Sequence, residues 1–582
     1  MFRDETLSAR LTRWMNRFHA ALSMRARPAS GFVSQPEPRT IGSFARGRQL
    51  VAGNFLFAGS LVEDKARSIW DIEKPDRAFE DELQGFVWLD DLAAVADLPA
   101  RKRAQDWTAE WIERYGRGRG GGWTPDLTGR RLIRWINHAI FLLNGQPGAF
   151  SRAYHASLAR QTRFLSRRWK AASAGLPRFE ALTGLIYAGM ALGGMEARVE
   201  PAVRALAREC REQIDFEGGI VTRNPEELLE VFTLLNWAAS ALSEAGKMAA
   251  PDHLHAIERI APTLRALRHA DGGLARFHGG GRGAEGKLDH ALAASGVKAV
   301  APGGLSMGFA RLHGGRTTVI MDVAPPPLGK ASANAHASTL ATEITSGRRP
   351  LVVNCGSGAS FGAQWRRAGR ATASHSTLAL DGYSSAQLGR RGSLGGQARE
   401  LLADGPRDVR VQFLVDTGTH GLVAGHDGYL KSHGLTHIRQ IEVTPNGRAI
   451  TGEDTLAAIE TADEKTFDRM LDRSALQGIG FKIHFHLHPD VDAELDMGGA
   501  AVSMALKSGE IWVFRHDGTT KLSIEPSVYL EKGRLKPRAT KQVVLSAAAL
   551  EYATRIRWSL SKAQFTPDAV RDLNRDDDLP LT

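Results

Sequence analysis

Ser332-Ala-Asn-Ala-His-Ala-Ser-Thr339, Arg349-Pro-Leu-Val-Val-Asn-Cys-Gly356 and His375-Ser-Thr-Leu-Ala-Leu-Asp-Gly382 follow one another in the second half of this 582-residue chain. Alternate residues of a strand share a face. A strand over the first stretch therefore puts Asn334, His336 and Ser338 on one side of an Ala-rich backbone. Packing does not require polar, proton-carrying groups there, so the stretch reads as part of a site.

The surroundings agree with a β context. From Asp271-Gly272-Gly273 to about residue 560, short runs rich in Val, Ile, Thr and Phe alternate with Gly, Asp and Asn turns. Strands are expected over 317–323, 351–354, 376–380, 409–415, 437–443, 481–487, 511–515 and 541–545, and together they indicate an antiparallel β-sandwich. Upstream the pattern is helical. Thr124-Pro125-Asp126 and Asn224-Pro225-Glu226-Glu227 are helix starts, each with a capping side chain, Pro at the first position and an early acid. The stretch 181–192 is apolar almost all round, as an inner helix would be, and 201–214 and 253–267 are amphipathic. Helices of this length on short loops suggest a toroid or bundle. The expected organisation is an N-terminal arm with an amphipathic helix over 1–60, a helical toroid or bundle over 61–270, a β-sandwich over 271–562 and a polar tail over 563–582.

Hydrophobic residues make up 43% and charged residues 24% of the chain, values ordinary for a globular protein. No run approaches the length of a membrane-spanning helix. The formal net charge of +11 favours a polyanionic partner. No nucleic-acid module or aromatic–basic platform accompanies that charge, so nucleic acid is not expected. Cys210 and Cys355 are the only cysteines and lack any finger or CxxC spacing. The first 27 residues carry six arginines and no secretory apolar run, which points to the cytoplasm. Leu7, Leu11, Trp14, Phe18 and Leu22 recur at helical spacing opposite arginines. Packing on its own domain is the expected fate of that face, an anionic membrane surface the alternative.

Other clusters carry titratable groups. His484, His486 and His488 alternate with Ile483, Phe485 and Leu487 along one strand, and are either proton carriers and ligands or hydrogen-bonded sandwich residues. His426-Asp427-Gly428-Tyr429 mixes imidazole, carboxylate and phenol, although a turn at Asp427-Gly428 explains those two residues. Gly281 to Lys287 imitates a phosphate-binding loop but has Leu288 where a hydroxyl is needed, and reads as a mobile interdomain loop.

Taken in order, these segments resemble the heparinase II/III-like polysaccharide lyases, in the subgroup common in alphaproteobacteria. Phe86-Val-Trp-Leu-Asp-Asp-Leu92, Trp123-Thr-Pro-Asp126, Gly218-Gly-Ile-Val-Thr-Arg-Asn-Pro225, His426-Asp-Gly-Tyr429 and Phe485-His-Leu-His-Pro489 carry the likeness with the opening stretches. The resemblance implies an (α/α) toroid before an antiparallel sandwich, a glycan cleft between them, and β-elimination of a uronate-containing, glycosaminoglycan-like anionic polysaccharide or oligosaccharide. It also implies a periplasmic or cell-envelope setting as the alternative to the cytoplasm.

The family's sandwich motif is His-x-His-Ala. Asn334 stands at its catalytic first position and His336 at the second, where a structural zinc would be shared with Asn354 (in place of Asp) and His375. The family's carboxylate-neutralising Asn or His falls near Leu176 and Pro177, and its Tyr near Glu227. Elimination needs charge relief at the carboxylate, a base at C5 and an acid at the leaving oxygen. The expected catalytic set is His336, Asn334, Tyr429 and Arg223. Arg178, Trp135, His138, Asn224 and His426 would contact substrate, with Arg178 an alternative for charge relief and His138 for proton transfer. A family member that binds glycans in the cleft without cleaving them is the competing reading.

Overall fold

Asn224 shows how local chemistry sets the architecture. Its Oδ1 accepts the backbone N–H groups of Glu226 (3.0 Å) and Glu227 (3.2 Å), which caps the helix Pro225–Glu244. The second expected start also holds in position, as the helix Pro125–Asn137, but the Thr124 side chain makes no cap bond. The helix Leu176–Ala191 has an almost wholly buried surface, as its all-round apolar sequence requires. It crosses Pro125–Asn137 so closely that a Cβ on Gly184 would lie 2.5 Å from the Gly129 Cα.

The computed structural model describes residues 7–34, 38–301, 303–394, 397–416 and 419–563. The tail expected over 563–582 lies, beyond Ala563, outside these residues. Helices run from Leu7–Ser23 to Lys287–Ser295 and form the toroid. Lys287–Ser295 falls after the expected boundary at 270/271. It packs on Pro225–Glu244 and joins the helical core through Leu288, Ala291 and Leu292. The toroid core is aromatic. Phe86 lies 4.6 Å from Trp88 and 5.3 Å from Trp135 between ring centroids, and the buried Arg131 guanidinium lies 4.1 Å over Trp111.

The β half comprises two large antiparallel sheets and the hairpin Gln387–Leu394/Gln397–Asp404. One sheet runs from Val409–Asp416 through Thr419–Tyr429, Leu435–Val443, Ala449–Ala457 and Ala553–Lys562 to Asp492–Asp496. The other places Ile479–Leu487 between Arg538–Ala549 and Arg349–Val353, with Thr342–Ser346 and Thr317–Asp322 following. Ile483, Phe485 and Leu487 point into the sandwich core, as the alternation predicts. No helix among the described residues is long and apolar enough to cross a membrane.

Two local expectations change. Residues 332–338 do not form a strand: a 3-10 turn, Gly329–Asn334, precedes an extended connection. Arg370 donates to the carbonyls of Ser332 (2.8 Å) and Ala335 (2.7 Å), replacing a ladder with side-chain bonds. Asn334 is consequently exposed while His336 and Ser338 are buried, so they share no face. The Gly-rich segment is packed rather than loose. A Cβ on Gly280 would lie 2.4 Å from Asn224 Oδ1, and the Gly281 N–H donates to Glu226 at 2.8 Å.

Candidate interdomain site

The site lies where the Gly279–Gly281 turn is wedged between the start of Pro225–Glu244 and Asn334 of the sandwich half. An added Cβ at Gly279 would meet Asn334 at 3.1 Å. On this floor His336 and His375 form a pair, with 3.0 Å between His336 Nδ1 and His375 Nε2. His375 Nδ1–H donates to the Ala371 carbonyl at 2.8 Å, so its Nε2 is the acceptor and His336 Nδ1–H the donor. His336 is then the tautomer with its lone pair on Nε2. Burial, reinforced by His375 and His278, holds its pKa well below the ordinary value, and burial brings that of His375 down to about 4. Both imidazoles are neutral at physiological pH.

Cations surround this pair. Arg366 donates to Asn334 Oδ1 (3.0 Å) and to the Ala333 carbonyl (2.6 Å). Burial, with Arg399 nearby, lowers its pKa to about 10, which leaves it charged. Two carboxyls of the helical half are also perturbed. Burial raises the Asp81 carboxyl to about 6 and Glu180 to about 7, the latter despite its 2.6 Å bond from Arg130. Glu227 also has its pKa raised by burial. Lys532 of the sandwich pairs with Glu226. At the junction, then, the sandwich presents Arg366 and Lys532, and Lys532 holds the Glu226 carboxyl below its ordinary pKa against the effect of burial.

Several expected site residues are committed elsewhere. Arg223 is locked in the domain junction. It donates to the carbonyls of Met307 (3.1 Å), Gly308 (2.9 Å), Ala324 (3.1 Å) and Pro325 (2.9 Å), and to Asp322 Oδ1 (2.5 Å). With every N–H spent, it cannot relieve charge on a substrate. Tyr429 is fully buried, and its hydroxyl donates to the Leu378 carbonyl at 3.1 Å, so it is no acid for a substrate in the cleft. His426 belongs to a buried chain, with 3.3 Å to His437 Nδ1 and then 2.8 Å from His437 Nε2 to Asp454. Arg439 grips the same carboxylate with two bonds, 2.7 and 3.0 Å.

Trp135 is core, stacked on Tyr154 at 5.2 Å. Asn224 spends its carbonyl oxygen on the helix cap, and Arg178 pairs with Glu209 at 3.0 Å. His138 contacts Asp90 (2.9 Å) and Thr40 (3.2 Å) in a separate cavity of about 630 Å³, lined by neither Asn334 nor His336. Of the expected set, His336 and His375 bond each other, Asn354 is bonded to Ser376 beside them, and Asn334 stands exposed beside Arg366. His278, Arg366, Arg370 and Asp322 were missed as site residues. The pairing of His278 and Asp322 depends on contacts distant in sequence, whereas Arg366 and Arg370 stand just before His375 and were visible there.

The chain matches the family model described as "Heparinase II/III-like, C-terminal" over residues 298–559. It is 30% identical to FtsZ-localized protein C of Caulobacter vibrioides (strain NA1000 / CB15N) over 548 residues, 92% of this chain and 91% of the relative. The chain belongs to the heparinase II/III-like family. Its fold is similar to heparinase III, with a TM-score of 0.67 at 13% identity, covering 93% of this chain and 88% of that one. It is also similar to heparan sulfate lyase HepC from Pedobacter heparinus, with a TM-score of 0.54 at 13% identity, covering 96% and 89%.

The residues of this heparinase II/III-like chain do not fit the structural zinc that the resemblance implies. Among the described residues no three His, Cys, Asp or Glu side chains converge on one point. Asn354 Oδ1 accepts the Ser376 N–H at 3.0 Å and its amide faces Glu343 at 3.4 Å. Cys355 Sγ turns to His486 at 3.6 Å, and burial raises its thiol pKa, against thiolate ligation. Two imidazoles bonded to each other remain. His486 is itself fully occupied, between Ser527 (2.7 Å) and the Ala373 carbonyl (3.0 Å), and His484 lies 3.0 Å from Gln542 Oε1.

Proposed function

We propose that this protein binds an acidic glycan in the interdomain cleft and does not cleave it. Arg366 and the exposed Asn334 receive one carboxylate. The observation that carries this reading is the capture of Arg223 and Tyr429 in buried bonds. Abstraction at C5 of a uronate requires charge relief together with a placed base and acid, and the acid has no evident donor.

One observation favours a second reading, elimination by this same site. Neutral His336 has the tautomer of a base, backed by His375 and the Ala371 carbonyl. The two readings separate in one experiment. The protein is titrated calorimetrically with heparan, chondroitin, hyaluronan and alginate oligosaccharides, and each mixture is followed for the ultraviolet absorbance of an unsaturated uronate. Binding heat without new absorbance is expected. A rise in absorbance that His336→Ala abolishes would establish a lyase instead, and absence of binding to every fragment would sink both readings.

The relative is named for localisation with FtsZ. Identity across nearly both full lengths supports proposing the same placement for this chain. A fluorescent fusion that fails to coincide with FtsZ in the native cell would refute it.

A further inference from the structure

The helix Leu7–Ser23 docks on Gly148–Arg168 through its small and polar side. Ala9, Asn16, Ala20 and Ser23 are buried, and Asn16 Oδ1 accepts from Arg168 Nε at 2.8 Å. The large apolar residues face the other way. Leu7, Leu11, Trp14 and Phe18 are 83%, 61%, 60% and 50% exposed, and Trp14 and Phe18 stack at 5.8 Å between centroids. Packing within the domain therefore explains the small-residue side only. Four large apolar side chains in one helical stripe form a contiguous patch of the kind that marks an interaction surface.

Its electrostatic setting identifies the occupant. Arg10 and Arg17 each follow a stripe residue by three positions and are exposed. No Asp or Glu occurs in Leu7–Ser23 or in the helix beneath it, which carries Arg152, Arg160, Arg163, Arg167 and Arg168. Like charges press on one another here: Arg17 and Arg77 depress the pKa of Arg13, and Arg163 and Arg167 that of Arg198, in each case after burial. A second copy docked by the same face would bring this positive field against itself. An anionic lipid surface satisfies both features, because headgroup phosphates meet guanidinium groups while Trp and Phe enter the acyl boundary.

We infer that the Leu7–Ser23 helix is a docking face for an anionic phospholipid bilayer, lying in the plane of the membrane with Leu7, Leu11, Trp14 and Phe18 inserted and Arg10 and Arg17 on the headgroups. The full chain is sedimented with phosphatidylcholine vesicles and with vesicles containing phosphatidylglycerol as well. Pelleting with the mixed vesicles only is expected, decreasing at higher salt. Trp14→Glu/Phe18→Glu lowers it about tenfold or more, and so does Arg10→Glu/Arg17→Glu. Phe216→Glu, at a residue 85% exposed elsewhere on the toroid, leaves it unchanged. The substituted side chains are exposed, so the helical dichroism of the parent is retained. Absence of pelleting, pelleting unaffected by both double variants, or equal pelleting with neutral vesicles overturns the assignment. A concentration-dependent dimer lost in Trp14→Glu/Phe18→Glu, without vesicle binding, gives the face to a second copy and overturns it equally.

Discussion

Arg223 of the toroid bonds Asp322 of the sandwich at 2.5 Å, from a backbone held at φ 50°. A non-glycine residue in that left-handed region costs about 1–2 kcal/mol. The conformation persists because four carbonyls fix the guanidinium besides Asp322. Asp322 in turn accepts Ser338 Oγ–H at 2.7 Å and faces His278 Nε2 at 3.3 Å. The Arg223 guanidinium pushes its pKa well below the carboxylate range, against the effect of burial. The pair fastens the floor of the cleft to the toroid.

Arg223→Ala leaves that buried carboxylate without its cation and is expected to cost about 3–5 kcal/mol. Arg223→Lys restores charge but not the fork of bonds, and should recover only part of the loss. Chemical denaturation of the two variants checks this. Parent-like stability in Arg223→Ala would contradict the clasp.

Asp454 offers a pH test. Arg439 and His437 depress its folded pKa despite burial. Its contribution to stability is therefore fully present above the unfolded value of about 3.9 and is lost as pH falls through the lower folded value. Asp454→Asn should be less stable than the parent by roughly 3–5 kcal/mol at neutral pH. The difference should shrink below about pH 4, where the parent's carboxylate begins to pay a linkage penalty that the amide does not. Denaturation of both proteins at neutral and acid pH measures it, and a constant difference would refute the assignment.

Gly129→Ala probes the helix crossing. The new Cβ would lie 2.3 Å from the Glu180 carbonyl oxygen, which is backbone and cannot swing aside. The inner helices must separate, at an expected cost of about 1–3 kcal/mol. A melting temperature equal to the parent's would show that the crossing has room.

Arg366→Ala removes the cation that bonds Asn334. Glycan binding should weaken about tenfold or more, since a hydrogen bond to a charged group is worth about 1.5–3 kcal/mol. Stability should change little, because among the described residues the guanidinium bonds one carbonyl and one exposed amide. Unaltered calorimetric affinity would move the carboxylate position elsewhere.

The sequence by itself determined the two-part fold and the family. Helix starts at residues 124–126 and 224–227, and the period-two alternation at Ile483, Phe485 and Leu487, are local signals written in neighbouring residues. It also named His336 and His375, which the fold brings into contact, because their spacing follows a family pattern. Only the tertiary structure decided what each polar group is free to do. Arg223 and Asp322 are 99 residues apart, and Tyr429 and Leu378 are 51 apart, yet each pair shares a buried bond. A buried polar group must find a partner wherever the fold brings one. Candidates equal in sequence thus divided into Arg223 and Tyr429, consumed by packing, and Asn334, left exposed beside Arg366. The same division turned the Leu7–Phe18 stripe outward, since Ala9, Asn16 and Ala20 were the residues small enough to approach the toroid.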